Sequence, residues 1–459
     1  MTYSSYFDHL DIPAIRSDHP IGPDFLATFS GMSRDALRSR QEALFAKVMT
    51  AAWKVPFYRR HWGAAGVEPG DVKGLDDLPK LPAYDKSDLM GSVEAYPPIG
   101  DFHGLPDNGP RIPLIFQTTS GTTGKPQPLL FGPRSREIQS LLLGRLYLLQ
   151  GLTNRDVLHS VYGHGMVNGG HYVREAVNHW IGAPLLSAGT GIETRSANQV
   201  KLMRDFGVTA IIGFGDYIKR LAKVAASEGL MPGEDIPIRV ISGHLGAETA
   251  ATMAEAWPGA EVFDWYGVGD TGIIAGEITS GGGMVTWEDA QFLEILDVDT
   301  HAPVADGEIG DMVCTCLYKD DVFPIIRFNT HDVSQEVAAS NSLDLPFRSI
   351  AGFMGRSDNM VKLRGINIYP QGIGTLLAGE YSVATGEFYC EVRRECGREE
   401  MIVVVEATDQ DEALCGKMEA TLRTRLGVAI EVRLVSPGST AKVTGIETRQ
   451  KPIRLVSAQ

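Results

Sequence analysis

One short segment has residue types suited to binding phosphate: it reads T-T-S-G-T-T-G-K-P, from Thr118 to Pro126. Glycines let the backbone curl with its N–H groups turned inward, hydroxyls add hydrogen-bond donors without charge, and Lys125 supplies a mobile cation. These properties predict a loop that binds the phosphate groups of a nucleotide. The candidate residues are Thr118, Thr119, Ser120, Gly121, Thr122, Thr123, Gly124 and Lys125.

This segment is not a Walker A motif. The first glycine of that motif, five residues before Gly124, is replaced by Thr119, and Lys125 is followed by proline rather than by Ser or Thr. The apolar runs on either side, Ile112 to Phe116 and Pro128 to Phe131, predict two short strands. We therefore expect a loop between strands, and the alternative is a flexible surface linker.

A second glycine-rich segment, Gly267 to Gly272, follows a predicted strand and reads G-V-G-D-T-G. It matches the G-x-G-x-x-G pattern of dinucleotide-binding proteins, but that pattern has to open a helix, and the residues after it do not favour one. We favour a segment that closes over a nucleotide, with Tyr266 and Gly267 against the ligand and Asp270 as an oxygen ligand for Mg²⁺. A plain glycine-rich turn is the alternative.

Three polar clusters follow along the chain. An apolar strand from Pro324 runs into a polar tip at Asp332, where a carboxylate can accept both hydroxyls of a ribose, although an ordinary turn aspartate is the alternative. The segment Gly355 to Gly365 places the cations Arg356 and Lys362 and a flexible glycine where the pattern of the sequence changes, which predicts a hinge. The basic group Gln450 to Arg454 is, taken alone, typical of a solvated tail.

The elements that must position these residues follow from periodicity. Arg34 to Trp53 has the period of an amphipathic helix, and the first hundred residues are helical in character. From Ile112 to Arg327, short apolar strands alternate with helical stretches, which predicts a parallel-rich α/β sheet with ligands at the strand ends. Near the end of the chain, the pattern predicts a strand, a helix and a second strand, which together indicate a small α+β domain. These elements are Met401 to Glu406, Asp411 to Leu426 and Ala429 to Leu434.

Length and composition agree with this division. A chain of 459 residues exceeds what one hydrophobic core usually serves, so we expect a large α/β N-terminal domain, 1–357, and a small, mobile α+β lid domain, 358–459. The net charge of −15 argues against nucleic acid or an anionic membrane as a partner. The start lacks the features of a signal peptide, and no apolar stretch reaches the ~18 residues of a membrane span, which predicts a cytoplasmic enzyme.

Cysteines are too few and too scattered for a disulfide framework. They are Cys314, Cys316, Cys390, Cys396 and Cys415. Cys314 and Cys316 alternate along a predicted strand from Met312 to Leu317, so both face one side. This arrangement is either half of a metal site or, as we expect, part of the core.

Taken together and in this order, these segments resemble the superfamily of adenylate-forming enzymes: acyl-CoA synthetases, adenylation domains of peptide synthetases, and luciferases. The phenylacetate-CoA ligase branch is the most similar, through Val55 to Arg59, Asp77 to Lys86, Tyr162 to Gly170 and Arg356 to Pro370. The resemblance covers essentially the whole chain. It implies an ATP-dependent ligase that converts a carboxylic acid to an acyl-adenylate with release of pyrophosphate and then transfers the acyl group to coenzyme A, with ATP, Mg²⁺ and coenzyme A as cofactors.

The resemblance implies roles for the nucleotide-binding residues. The Thr118 to Lys125 loop would hold the β- and γ-phosphates, Asp270 would take the place of the magnesium-binding glutamate, and Asp332 would bind the ribose, which Arg356 would also approach. The chain departs from the family at two points, because Gly269 replaces the usual Thr or Ser and Asp270 is shorter than Glu. One phosphate-binding hydroxyl is therefore missing, and the ion would sit differently.

Two conformations are also implied by the resemblance. Lys451 would bridge the carboxylate and the α-phosphate during adenylation, with Lys442 as a weaker rival because Gln450 replaces the usual glycine. Rotation about Asp358, the hinge, would then bring Gly365 to the tunnel for the pantetheine of coenzyme A. The cysteines and histidines that form a structural zinc site in some relatives are largely absent, so we predict no zinc.

The acid pocket is placed by its position in the fold of the family. Its candidate residues are His164, Met166, Asn168, Gly169, Gly215, Asp216, Tyr217, His244 and Gly246. This set is polar, and buried polar groups need partners, so we predict an aromatic acid that bears hydroxyl or amino groups. The alternative is that the histidines find partners inside the scaffold or point to water.

Two rival functions stay open. The first keeps adenylation but transfers the acyl group to an amine, a carrier-protein thiol or nitrite, as in natural-product biosynthesis. The second is a catalytically silent protein that binds a nucleotide or an acyl group. Relatives in this superfamily are often dimers, so a homodimer is an open alternative to a monomer.

Overall fold

The computed structural model describes residues 4–105, 111–119, 125–246, 248–338, 343–364, 366–395, 398–446 and 452–457. The α-helices within them are α1 Ile12–Asp18, α2 Pro23–Phe29, α3 Arg34–Ala52, α4 Pro56–Ala64, α5 Lys86–Ala95, α6 Pro133–Leu149, α7 Asn168–Glu175, α8 Ser196–Asp205, α9 Gly215–Ser227, α10 Ala250–Ala256, α11 Pro370–Glu380, α12 Glu412–Leu426 and α13 Ala441–Thr444. Short 3-10 helices cover Tyr6–His9, Leu75–Lys80 and Ser357–Asn359, and a π-helix covers Ala176–Ile181.

The strands are short for the most part. They are β1 Ile115–Thr118, β2 Pro128–Phe131, β3 Leu158–Ser160, β4 Leu185–Ser187, β5 Ala210–Phe214, β6 Val240–His244, β7 Glu261–Val268, β8 Gly272–Glu277, β9 Met284–Thr286, β10 Gln291–Leu296, β11 Gly310–Cys316, β12 Phe328–Ser334, β13 Glu336–Val337, β14 Ser349–Ile350, β15 Gly355–Arg356, β16 Val361–Leu363, β17 Ile366–Ile368, β18 Ala384–Glu395, β19 Arg398–Ala407, β20 Glu431–Val435 and β21 Leu455–Ser457.

The prediction of helices in the first hundred residues is confirmed. Helix α3 begins after Ser33, whose hydroxyl accepts a hydrogen bond from the backbone N–H of Ala36 at 3.2 Å and so caps the helix. Its residues Leu37, Leu44 and Val48 recur with helical spacing on one buried face. This face joins the large hydrophobic core that also contains residues of α6 and of the central sheet.

A nine-stranded sheet forms the centre of the large domain, in the order β13-β14-β9-β8-β7-β6-β5-β3-β4. Strands β4, β3, β5, β6 and β7 are parallel and alternate along the chain with helices, which confirms the predicted α/β pattern. The other strands add to the sheet in antiparallel fashion. The parallel arrangement brings the carboxyl ends of β5, β6 and β7 side by side, where ligands of such sheets bind.

A second, antiparallel sheet has the order β10-β11-β12-β15. The prediction of a strand that runs from Pro324 to a polar tip at Asp332 is wrong. Arg327 has a φ of 57°, so the extended chain is interrupted there, and β12 begins at Phe328 and contains Asp332 within it. Asp332 therefore stands opposite Arg356 of β15 in a strand ladder.

The C-terminal part forms its own sheet, in the order β20-β19-β18-β21, and its predicted α+β character is confirmed. Its hydrophobic core contains buried residues from Val361 to Val432 and is separate from the cores of the large domain. This separation supports a domain boundary near 357, which stays a prediction. Among the described residues, no helix has the length and apolar character needed to cross a membrane.

The described part of the C-terminal segment is not a solvated tail. Strand β21 pairs in parallel with β18, and the backbone O of Arg454 accepts a hydrogen bond from the N–H of Cys390 at 2.7 Å. The guanidinium of Arg454 binds the carboxylate of Glu387 at 2.9 Å and the backbone O of Phe388 at 2.7 Å. The residues 452–457 are thus attached to the C-terminal sheet.

Candidate active site

The candidate phosphate loop connects β1 and β2, which pair in antiparallel fashion, so the predicted loop between strands is confirmed. Its base is closed by two hydrogen bonds: the N–H of Thr119 donates to the backbone O of Gln127 at 3.1 Å, and the N–H of Gln127 donates to the Thr119 hydroxyl at 3.2 Å. Thr118 donates from its N–H to the O of Met166 at 2.7 Å. Lys125 is exposed. Strand β1 starts later than predicted, after Pro113, which has no N–H to donate.

Asp270 lies in the turn between β7 and β8, and only 4% of its surface is exposed. Its Oδ1 accepts a hydrogen bond from Nε2 of Gln127 at 2.7 Å, and its backbone O accepts one from the ammonium of Lys319 at 3.2 Å. Burial raises the pKa of Asp270, while the charge of Lys319 and the bond from Gln127 act to lower it. A buried carboxylate of this kind suits a divalent cation, which prefers oxygen ligands and would compensate the lost solvation.

Lys319 is itself buried, with 1% of its surface exposed. Its ammonium lies 4.5 Å from the ring centre of Phe131 and 5.1 Å from that of Phe323, so aromatic faces supply part of the solvation that water would give. Burial lowers the pKa of Lys319, and the nearby charge of Asp270 acts against this. Sequence reasoning missed both Gln127 and Lys319, because each meets Asp270 across a long stretch of chain and neither belongs to a periodic pattern.

The carbonyl of Gly269 is held by amide side chains. It accepts hydrogen bonds from Nδ2 of Asn168 at 3.0 Å and from Nε2 of Gln139 at 3.4 Å. The Oδ1 of Asn168 in turn accepts a hydrogen bond from the buried guanidinium of Arg136. The turn that presents Asp270 is therefore fixed from both sides, and Asn168, which we predicted to line the acid pocket, is 1% exposed and serves this turn.

Tyr266, Asp332 and Arg356 are in direct contact. The Tyr266 hydroxyl donates to Oδ2 of Asp332 at 2.7 Å, and a terminal nitrogen of Arg356 donates to Oδ1 of Asp332 at 2.8 Å. The carboxylate of Asp332 accepts in both bonds, and it is the group that we predicted to bind a ribose. Gly267 follows Tyr266 in β7, next to this group.

Arg356 also binds the predicted hinge residue. Its Nε and its other terminal nitrogen donate to the two oxygens of Asp358 at 2.8 and 2.6 Å, in the bidentate geometry that Arg and carboxylate prefer. One guanidinium thus joins the residue predicted to bind ribose, Asp332, to the residue predicted to be the hinge. The structure brings these predicted residues together, although Asp332 is more than twenty positions before Arg356 in the chain.

The acid side of the site is bounded by main chain. Gly213 of β5 and Gly243 of β6 are neighbours in the ladder, and a Cβ built on Gly243 would lie 1.7 Å from the backbone O of Gly213. Next to them, Nδ1 of His244 is hydrogen-bonded to the hydroxyl of Tyr162 at 2.6 Å, and its ring centre is 4.1 Å from that of Trp265. His244 therefore has a partner within the scaffold, as the alternative reading of the pocket describes.

The segment after β3 carries three more of the predicted acid-pocket residues. His164 is half-buried, and among the described residues none is within hydrogen-bond distance of its Nε2. Burial lowers the pKa of His164, assisted by the positive charges of His171 and Arg174, so this ring is neutral at pH 7. Met166 is 54% exposed, and Gly169 lies in the first turn of α7.

The other members of the set lie after β5 and β6. The Asp216 carboxylate is reached by solvent, but the surrounding protein and, to a lesser extent, the charge of Glu387 raise its pKa to about 6. Glu387 belongs to β18 of the C-terminal sheet. The hydroxyl of Tyr217 is hydrogen-bonded to Ser196 Oγ at 2.8 Å. Gly215 is the first residue of α9, and Gly246 follows β6 with a φ of 65°.

Several predicted site residues lie outside the described residues. They are Ser120, Gly121, Thr122, Thr123 and Gly124 of the phosphate loop, Gly365 of the predicted coenzyme A tunnel, and Lys451. The rival of Lys451, Lys442, is exposed in α13. The roles given to all of these residues stay predictions.

Cys314 and Cys316 lie in the core of the second sheet. Both thiols donate to Oε1 of Gln291, at 2.8 and 3.3 Å, so they face one side of β11 as predicted. The side-chain N–H of Gln291 donates a hydrogen bond to the backbone O of Ile273 at 2.6 Å. Within the described part of the chain, no group of three or more His, Cys, Asp or Glu residues is arranged to hold a metal ion.

Known proteins match this chain over most of its length. A family model for the AMP-binding enzyme C-terminal domain matches residues 365–453. The chain is 27% identical over 439 residues to the phenylacetate-coenzyme A ligase of Aromatoleum evansii, a match that covers 92% of this chain and 95% of that one.

Solved structures of 2-hydroxyisobutyryl-CoA ligase have the same fold. One, in the postadenylation state with R3-HIB-AMP, is 24% identical, covers 96% of this chain and 94% of the other, and gives a TM-score of 0.79. Another, in the thioesterification state with 2-HIB-AMP and CoA, is 25% identical, covers 93% of both chains and gives a TM-score of 0.64.

The chain therefore has the fold of these CoA ligase structures, and its residues 365–453 match the C-terminal domain of AMP-binding enzymes. The similarity to phenylacetate-coenzyme A ligases spans 92% of the residues of this chain.

Proposed function

We propose that this protein is an ATP-dependent ligase that converts a carboxylic acid to an acyl-adenylate and then to a coenzyme A thioester. The observation that supports this most directly is the contact of Tyr266, Asp332 and Arg356, which makes one acceptor surface for a ribose beside the predicted hinge. Phenylacetate-coenzyme A ligases, to which the chain is similar over most of its length, couple an acid to coenzyme A, as their name states.

In the first step, an oxygen of the carboxylate attacks the α-phosphate of ATP, and the bond to pyrophosphate breaks. Negative charges approach each other in this step, so cationic and hydrogen-bonding groups must be in place beforehand. The Thr118 to Lys125 loop would hold the β- and γ-phosphates, Asp332 the ribose, and Lys451 the charge between carboxylate and α-phosphate. Bound Mg²⁺ would neutralise charge on the phosphates, and Asp270 is the residue that would hold it.

In the second step, the thiol of coenzyme A attacks the acyl carbon, and AMP leaves. A thiol is partly ionised near neutral pH and AMP is a good leaving group, so no general base is required from the protein. We propose that the domain 358–459 turns about Asp358 between the steps and brings Gly365 to the thiol channel. Because ATP and coenzyme A are both metabolites of the cytoplasm, we place the reaction there.

For the acid, we propose an aromatic carboxylate with a hydroxyl or amino substituent. The ring nitrogen Nε2 of His164 is buried without a partner among the described residues, so a polar substituent would remove the cost of leaving it unsatisfied. The carboxyl of Asp216, with a pKa of about 6, is ionised at pH 7 and can accept from a hydroxyl or an amino group.

The proposal is tested by measuring pyrophosphate, AMP and acyl-CoA with a panel of acids. The panel contains phenylacetate, hydroxy- and aminobenzoates, 2-hydroxyisobutyrate and unbranched aliphatic acids. We expect ATP- and acid-dependent pyrophosphate release, and AMP accumulation over many turnovers only with coenzyme A. The substrate proposal is wrong if plain aliphatic acids are used better than the substituted aromatic acids.

Two lysines of the small domain provide a matched pair of variants. Lys451→Ala should lower adenylation on the order of 10²- to 10³-fold, the usual cost of a lost transition-state donor. Lys442→Ala should leave it within about twofold. Undiminished turnover of Lys451→Ala would contradict the role of that lysine. Absence of pyrophosphate release with every acid would favour a silent binding protein, and turnover with an amine, a carrier protein or nitrite in place of coenzyme A would identify another acceptor.

A further inference from the structure

His331 lies beside the proposed nucleotide site, although the sequence gave no reason to select it. It directly precedes Asp332 in β12, and its φ of 56° places it in the left-handed region, which is unusual for a histidine. Its N–H donates to Oδ1 of Asn329 at 2.8 Å, so the side chain of a neighbour helps to hold this backbone conformation. A costly conformation of this kind persists only where surrounding contacts favour it.

The contacts are made by both nitrogens of the ring. Nε2 lies 2.8 Å from Oδ2 of Asp85. Nδ1 lies 3.2 Å from the hydroxyl of Ser357 and 3.8 Å from Oδ2 of Asp311. The Ser357 hydroxyl itself donates back to the carbonyl of His331 at 3.4 Å.

This environment keeps the ring protonated. Hydrogen bonds with Asp311 and Asp85 outweigh the effect of burial and raise the pKa of His331 to about 10. Both ring nitrogens of an imidazolium are donors, so one can bind Asp85 while the other is shared between Ser357 and Asp311. The ring is partly buried, with 29% of the side chain exposed, so screening by water is incomplete.

Each partner belongs to a different element. Asp85 is the N-cap of α5 and uses its other oxygen for the N–H of Ser87 at 2.6 Å. Asp311 is a residue of β11, which neighbours β12. Ser357 opens the 3-10 turn Ser357–Asn359, which contains the predicted hinge residue. A single cation therefore connects two elements of the large domain to the turn at which the small domain begins.

We propose that His331 is a positioning residue that holds the hinge turn Ser357–Asn359 in the adenylation-side arrangement, with Arg356 directed at Asp332. This inference rests on the proposed two-step function. Loss of the imidazolium removes the cation that connects Ser357 to Asp85, and Ser357 keeps only its contacts with Asp311 and with the backbone O of His331. The turn and the guanidinium beside it are then held less firmly. The adenylation step needs this position, whereas the thioester step follows a rotation about the same turn.

The test compares His331→Gln with His331→Arg. Glutamine removes the charge and one of the two donor directions, whereas arginine keeps a cation with donors on two sides. His301→Gln is the matched control, because His301 is an exposed histidine with the same φ of 56° and lies in the loop between β10 and β11. The two steps are measured separately, the first as pyrophosphate release in a single turnover, and the second as acyl-CoA formation from a chemically prepared acyl-adenylate.

We expect His331→Gln to lower the rate of the first step about tenfold and that of the second less than twofold, in keeping with the loss of a charge-assisted hydrogen bond. His331→Arg should recover the first step to within about threefold of the unmodified protein, and His301→Gln should change neither step. Ser357→Ala serves as a second variant that leaves the ion pairs of the ring intact, and it should slow the first step about threefold.

The inference is overturned if His331→Gln slows both steps equally, if it changes neither, or if His331→Arg is no better than His331→Gln. If His331→Gln does not fold, as judged by thermal unfolding, Ser357→Ala is used instead. The inference is then overturned if Ser357→Ala slows both steps equally or changes neither. These outcomes differ from failure of the proposed function, in which the unmodified protein itself would release no pyrophosphate with any acid.

Discussion

The two sides of the candidate site are built differently. On the nucleotide side, Asp332 and Asp358 share one guanidinium, and Asp270 lies next to a buried ammonium and an amide donor. On the acid side, His244 binds a neutral tyrosine hydroxyl and Asp216 has no ion pair within the described residues. Under the proposed function, we expect charge-paired groups to serve the steps that all acids share, and neutral or singly charged groups to determine which acid is used.

The physical reason for expecting different sensitivities is the cost of an unpaired buried charge. Removing one partner of a buried charged group costs about 3–5 kcal/mol, whereas a neutral hydrogen bond contributes about 1 kcal/mol net. Substitutions on the nucleotide side should therefore lower the rate for all acids. Substitutions on the acid side should change which acid is preferred and leave the use of ATP intact.

The largest effect is expected for Asp332→Asn. This change leaves the guanidinium of Arg356 without one of its carboxylates and weakens the acceptor for ribose, so adenylation should fall on the order of 10²- to 10³-fold. Pyrophosphate release at several ATP concentrations measures it. Asp306→Asn, at an exposed aspartate before β11, is the control and should behave as the unmodified protein. Equal activity of the two variants would show that Asp332 has no role in binding the nucleotide.

A smaller effect is expected for Gln127→Leu, which removes the amide donor to the carboxylate of Asp270. The buried carboxylate loses a partner at a cost of about 1–3 kcal/mol, so adenylation should fall roughly 10- to 10²-fold, and the Mg²⁺ concentration for half-maximal rate should change. Gln117→Leu, on the other strand of the same hairpin, is the matched control. If both variants have the same Mg²⁺ dependence as the unmodified protein, the link between Gln127 and Asp270 has no role in catalysis.

On the acid side, His244→Phe should alter selectivity. It keeps a ring of similar size next to Trp265 but removes the hydrogen bond to Tyr162. We expect the ratio of kcat/KM values between a hydroxybenzoate and phenylacetate to change about threefold to tenfold, with the KM for ATP within about twofold. A uniform fall for every acid would show that His244 supports the whole site, and the contrast between the two sides would then be wrong.

The smallest effect on activity is expected at the amino ends of the parallel strands, away from both sides of the site. There Arg239 donates to Oδ1 of Asp156 at 2.7 Å. Burial acts to raise the pKa of Asp156, but the hydrogen bonds from Arg239 and Thr209 prevail and lower it to about 2. Asp156→Asn should leave kcat unchanged and lower the free energy of unfolding by about 1–2 kcal/mol at pH 7, with allowance for the exposure of Arg239.

The pH dependence of that effect has a definite sign. A carboxyl whose pKa is lowered on folding stabilises the protein above its ordinary pKa of 3.8, and this contribution is lost as the pH falls from about 4 to about 2. Denaturant unfolding at pH 7, 4 and 2.5 measures the difference between the two proteins. If the difference does not shrink below pH 4, the ion pair is not its cause.

The sequence predicted those features that leave a local signal. The alternation of strands and helices, the hairpin around the glycine-rich loop and the absence of a helix after Gly272 are confirmed, because each depends on residues close together in the chain. The start of the strand that contains Asp332 was predicted too early, because the apolar run Pro324–Ile326 does not indicate the positive φ of Arg327. Such a break becomes visible only in the folded backbone.

The residues that sequence reasoning missed act over long separations. Gln127 meets Asp270 across 143 positions, and His331 meets Asp85 across 246. Neither contact follows a periodic pattern, so only the packing of the sheets reveals it. Asn168 was assigned to the acid pocket because of its position, whereas its amide is directed to the carbonyl of Gly269. Proximity in sequence to a pocket does not determine which way a side chain points.

The contact between Gly213 and Gly243 limits how a protein like this one can evolve. A side chain at Gly243 would collide with the backbone O of Gly213, so a single substitution at Gly243 cannot introduce a new side chain there. Descendants that come to use another acid must change the residues around Gly213 and Gly243 and keep these two glycines. We therefore expect the two glycines to be retained when the substrate changes. Substitutions that accompany such a change should occur at positions such as His244 and Asp216.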